Sequence, residues 1–134
     1  MTEPSGDLMA QEQRANLWSA VGGDPTFLVL VEAFYRRVEA DPLLRPIFPP
    51  DLASGREKQF MFLVQYFGGG QRYSAVHGHP RLRMRHVPFR IDRVARDRWL
   101  AHMLAAIDDA GIREPWRSEM RGYFEMASAA MMNA

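Results

Sequence analysis

Apolar and polar residues alternate with period two nowhere in this chain; the apolar residues recur instead at helical spacing. A half-buried strand needs the first pattern and an amphipathic helix the second, so the expected fold class is all-α. With 134 residues the chain can build one core but not two. Four long stretches carry the helical pattern. Phe27, Leu30, Val31, Phe34 and Val38 mark 26–39, and Phe60, Phe62, Leu63, Val64, Tyr66 and Phe67 mark 54–67. Val94, Leu100, Met103, Leu104 and Ile107 mark 93–110, and Trp116, Met120, Tyr123, Phe124, Ala127 and Met131 mark 114–132.

Helix signals punctuate these stretches. Asn16 can cap a short helix over 17–21 that stops at Gly22-Gly23, and Asp24 can cap the next, with Pro25 at its first position. Ser54 and Glu57 fit a capping box at the start of 54–67, which Gly68-Gly69-Gly70 ends. Asp92 is placed to cap 93–110 and Gly111 to stop it. Pro46, Pro49 and Pro50 make a stiff, non-helical corner around Phe48, and residues 68–80, with four glycines, are expected to form a long loop.

Composition narrows the chemistry. Cysteine is absent, which excludes disulfides, thiolate nucleophiles, cysteine-held zinc and iron–sulfur clusters, so a bound metal must use histidine or carboxylates. A net charge of +1 exerts no global pull toward nucleic acid or acidic lipid. Seven arginines between 81 and 98 face only Asp92 and Asp97, a local excess that leaves an acidic-partner or nucleic-acid surface open as a remote alternative. No aromatic ladder interleaves with them for base stacking, so the expectation is no nucleic acid. Residues 1–15 carry neither a basic leader nor an apolar run of signal length and are expected to be a disordered lead-in to a cytoplasmic domain spanning 16–134. No segment approaches the roughly 20 apolar residues of a membrane span.

Residues 77–91 hold the most specific chemistry. Pro80 can open a short helix and Pro88 forces Val87 to be extended, so His86 is expected to be the last helical residue. Leu82 lies one turn before it on the same face, with Arg81, Arg83 and Arg85 around the sides. A neutral imidazole facing an apolar slot beside cations suits a haem-iron ligand, with the arginines toward the propionates; the same spacing also suits a packed structural histidine. Tyr35, Gln59 and Trp99, polar-tipped residues on inward faces of three different helices, favour the ligand, because a bound polar group would give each a partner. His77, His79 and His102 have no carboxylates at ligand spacing and are expected to be structural or solvent-facing.

Several of these residues fall into a recognisable series: Phe34-Tyr35, Gln65-Tyr66-Phe67-Gly68-Gly69, Tyr73-Ser74, His79 through Ile91, and Arg96-Asp97-Arg98-Trp99-Leu100. Together they resemble the group II truncated haemoglobins over residues 17–133. The resemblance implies a truncated globin fold, a two-over-two sandwich with the pair 25–39 and 55–67 against the pair 93–110 and 114–132. It implies haem b (iron protoporphyrin IX), with His86 as the proximal metal ligand and Tyr35 and Trp99 as distal donors. Gln59 is expected as a third donor, Phe48 as the aromatic at the corner, and Gly55 at the site where most globins carry a distal histidine or glutamine. Phe62, Leu63, Leu82, Phe89, Ile91 and Met126 are expected against the porphyrin, and Arg85, Lys58 and Tyr73 at the propionates. The implied ligands are O2, CO and NO. An alternative is a haem enzyme that oxidises NO or runs peroxidase-type chemistry, and it would need a separate reductase. A homodimer through the last helix is a further expectation.

Overall fold

The computed structural model describes residues 17–86 and 88–134, without the side chains of Arg83 and Arg85. Asn16 and the lead-in 1–15 lie outside the described residues. A helical turn over 17–20 (α1) precedes α2 (Asp24–Glu39), a 3-10 turn (Arg45–Ile47) and α3 (Ala53–Tyr66). Two short helices follow, α4 (Arg72–His77) and α5 (Leu82–His86), and then the long α6 (Arg93–Asp109) and α7 (Trp116–Ala130). No strand occurs among the described residues, and the class is all-α as the periodicity required.

The layers follow from the apolar stripes. α2 packs against both α3 and α6, and α7 packs against α6, which sets one helix pair over the other. Phe27, Phe34, Phe67, Phe124, Met103, Ile107 and Met120 are fully enclosed where the stripes meet. Burial of such a side chain contributes about 1.5–3 kcal/mol, so this cluster is the main source of cohesion. Gly69 permits the close approach that ends α3: a Cβ there would lie 2.8 Å from Trp18 Nε1 and closer still to the Val64 side chain.

A buried carboxylate fastens the corner to α6. Asp41, 3% exposed, accepts from the backbone N–H groups of Leu43 (2.9 Å) and Leu44 (3.3 Å), so it shapes the turn that follows it. Arg98 donates to its two oxygens through Nε and Nη2, both at 2.9 Å, and His102 Nε2 lies 2.7 Å away. The Arg98 guanidinium holds the carboxyl well below the usual carboxylate range, with His102 and the two amides acting in the same direction against the cost of burial. His102 is therefore structural, as expected, and its partner is this carboxylate.

Several local expectations are corrected. Asp24 is the first residue of α2, not its cap; its carboxylate accepts from Trp18 Nε1 (3.0 Å) and pairs with Arg72. The box of Ser54 and Glu57 does not form, because α3 begins at Ala53 and Asp51 Oδ1 takes the Ala53 N–H (2.9 Å). The expected loop 68–80 contains α4, pinned where the Gln65 amide accepts from Ser74 N (2.8 Å) and donates to Ser74 Oγ (2.9 Å). Pro46 sits inside a 3-10 turn, and α5 starts at Leu82, two residues after Pro80. Asp92 caps α6 as expected, accepting from Ala95 N (2.9 Å), yet Val94 points outward and Ala95 takes the buried position.

Candidate functional site

Between the two helix pairs lies a cavity of about 370 Å³, within the roughly 300–1,000 Å³ typical of small-molecule sites. Leu82 and His86 of α5, with Phe89 and Ile91 from the segment after it, form one part of its wall. Tyr35 of α2, Phe48 of the corner, Gly55, Gln59, Phe62 and Leu63 of α3 and Trp99 of α6 form another. Lys58 and Tyr73 also reach it. The structure thus brings together every residue expected at the site except two. Arg85's side chain lies outside the described residues. Met126 is 64% exposed and turned away, because in an α-helix one residue is a 100° rotation; its neighbour Ala127 lines the cavity, with Tyr123, Phe124, Ser128 and Met131.

His86 is half-buried, and its orientation has a local cause. Its Nδ1 lies 2.6 Å from the carbonyl oxygen of Leu82, one turn earlier in α5. A carbonyl only accepts, so Nδ1 carries a proton; in the neutral ring the lone pair then sits on Nε2, which is the tautomer a metal ligand requires. The sequence predicted the shared face of Leu82 and His86; the bond between them emerges from the helix geometry.

Tyr35 is 4% exposed and held by edge-on contacts to Phe34 (centroids 5.3 Å apart) and Phe48 (6.0 Å). Burial pushes its hydroxyl up to about 12, only partly countered by the Arg56 guanidinium over its ring, so the group is a donor at neutral pH. Its hydroxyl faces Gly55, where an added Cβ would lie only 2.8 Å from the oxygen. Trp99 leans edge-on against Phe34 (5.3 Å) and stands 5.9 Å from Phe124. Neither the Tyr35 hydroxyl nor the Trp99 indole N–H has a hydrogen-bond partner among the described residues. The buried Oε1 of Gln59 and Nε of Arg56 are likewise unpaired. A buried polar group without a partner costs about 1–3 kcal/mol, so the orphaned Gln59 acceptor, together with the Tyr35 and Trp99 donors on the same mostly apolar cavity, indicates a site built for a polar ligand; Arg56 does not line it.

Arg96 was not anticipated at the site. It lines the cavity while its Nε donates to Ser128 Oγ and its Nη2 to the Glu125 carbonyl, each at 2.9 Å, joining α6 to α7. The only sequence signal is its position three residues before Trp99.

A mostly apolar cavity holding one imidazole inside helices stacked two over two is the architecture of a globin, and the model of the bacterial-like globins matches residues 16–133. The chain belongs to that family and is a haem-binding globin. It is 43% identical over 111 residues to a group 2 truncated haemoglobin of Bacillus subtilis, an overlap of 83% of this chain and 84% of that protein. The crystal structure of the haemoglobin of Chloroflexus aurantiacus superposes with a TM-score of 0.87 at 56% identity, covering 88% of this chain and 98% of the other. That of a truncated, oxygen-avid haemoglobin from Bacillus subtilis does so with a TM-score of 0.83 at 42% identity, covering 87% and 98%. Within the family the chain is a group II truncated haemoglobin.

Proposed function

We propose that the protein binds haem b through His86 and holds O2 there with hydrogen bonds from Tyr35, Trp99 and Gln59. The observation that carries this reading is the His86 ring: Nδ1 is committed to Leu82, which leaves Nε2 as the nitrogen open to a metal in a cavity of mostly apolar walls. Haem supplies an iron centre that coordinates a diatomic gas. The protein supplies everything around it. Phe48, Phe62, Leu63, Leu82, Phe89 and Ile91 would pack the macrocycle and exclude water, and Lys58 and Tyr73 would meet the propionates. Tyr35 stays protonated because burial disfavours its anion, so its hydroxyl donates. Trp99 donates its indole N–H and Gln59 its amide. Donors of this kind favour a ligand that gathers negative charge, O2, over CO, which gathers little. The oxygen avidity of the Bacillus subtilis relative supports the same reading.

The test is an absorption spectrum of the purified protein before and after dithionite and CO, with His86→Ala in parallel. A Soret band that shifts at each addition, and pigment loss or altered colour in the variant, are the expected results. Tyr35→Phe and Trp99→Phe should each speed O2 dissociation about 10- to 150-fold, the equivalent of one charge-assisted hydrogen bond. Unchanged rates in both variants would remove the donors from the assignment.

A further inference from the structure

The His86 ring is bonded to its own helix, so its placement is only as firm as the placement of α5. That helix has five residues, too few to persist without outside support. The segment behind it, which brings Phe89 and Ile91 to the cavity, belongs to no helix before Arg93. Its backbone is held from a distance in sequence. Asn133, past the end of α7, donates its own N–H to the Ile91 carbonyl (2.9 Å) and accepts the Ile91 N–H on Oδ1 (2.8 Å). Its Nδ2 donates to the Phe89 carbonyl (2.7 Å) and, more weakly, to the carbonyl of His86 itself (3.4 Å).

We propose that Asn133 is a positioning residue that clasps the chain from His86 to Ile91 against the end of α7, and so fixes the imidazole and the apolar surface beside it. The proposal rests on His86 being the iron's ligand. The chemistry of the side chain is specific to the task. A primary amide of this length offers an acceptor for one N–H and donors for two carbonyls at once; aspartate has no donor when ionised, and alanine has neither. The network also fixes which amide atom is which, because Oδ1 faces an N–H and Nδ2 faces two carbonyls. Through the clasp the proximal segment moves with α7, whose Tyr123, Phe124 and Ala127 line the same cavity.

The test compares wild-type holoprotein with Asn133→Ala and with the near-isosteric Asn133→Asp. The readouts are the iron–histidine stretching band of the ferrous, ligand-free form by resonance Raman and the rate of haem transfer to excess apomyoglobin. In both variants the band should shift and broaden, and haem loss should accelerate about two- to tenfold, the range of one net hydrogen bond. Arg117→Ala, which removes surface pairs with Asp108 and Glu114 at the opposite end of α7 from the clasp, should leave the band in place and so separates positioning from general destabilisation. An unshifted band with unchanged haem loss in both Asn133 variants overturns the clasp alone. A wild-type band that survives His86→Gly overturns the ligand assignment, and the clasp with it.

Discussion

Gly55 and the Tyr35 hydroxyl occupy space that only one of them can fill, which makes a double-mutant cycle decisive. In Gly55→Ala the new Cβ would lie 2.8 Å from Tyr35 Oη but 3.6 Å from Cζ and 3.8 Å from Cε1. The ring contacts are ordinary and the hydroxyl contact is not, so the oxygen must retreat by about 0.5 Å or more to reach normal separation. The ring is wedged between Phe34 and Phe48, so the retreat pulls the donor off its line. A full charge-assisted hydrogen bond is worth about 1.5–3 kcal/mol, or roughly 10- to 150-fold in a dissociation rate; partial misalignment should cost about 3- to 20-fold. In a Tyr35→Phe background the clashing atom is gone, and Gly55→Ala should leave the O2 dissociation rate within about twofold of the single Phe variant. Helix propensity then acts alone and should raise stability by about 0.5–1 kcal/mol. Stopped-flow O2 dissociation on the four proteins, with thermal unfolding alongside, measures both legs. Additive effects of the two substitutions on the rate would refute the steric argument.

Three further outcomes follow from the packing. Asp41→Ala strands the buried Leu44 N–H and releases the half-exposed Arg98, which should cost about 2–3 kcal/mol in urea unfolding; a loss under 0.5 kcal/mol would mean the corner is held by something else. The same carboxyl sets an acid response. Its pKa is lower folded than unfolded, so its stabilisation is complete above about pH 4–5 and drains as pH falls toward the folded value. Asp41→Ala should therefore show a shallower fall in stability below about pH 4 than wild type, and parallel curves would contradict the assigned direction. Gly69→Ala drives a methyl into Val64 and Trp18 and should lower stability by about 1–3 kcal/mol in thermal or urea unfolding, whereas a neutral result would show that the turn after α3 yields freely.

The sequence by itself determined the helical class, the four long helices, the Asp92 cap and the position of His86 at the end of a short helix beside Leu82. These depend on residues within a turn or two of one another, and local sterics and periodicity express such relations directly. Tertiary structure alone decided three other things. Nothing local marks Asp41 as a buried anchor, because its charged partners Arg98 and His102 stand 57 and 61 residues away. Residues 72–77 became a helix although the surrounding glycines suggested a loop, because Gln65 fastens Ser74 from another element. On the inward face of α6, Val94 gave way to Ala95. Apolar spacing defines a stripe on a helix, but the rotation of that stripe toward a cavity is set by the helix it packs against, and an error of one residue is a 100° turn.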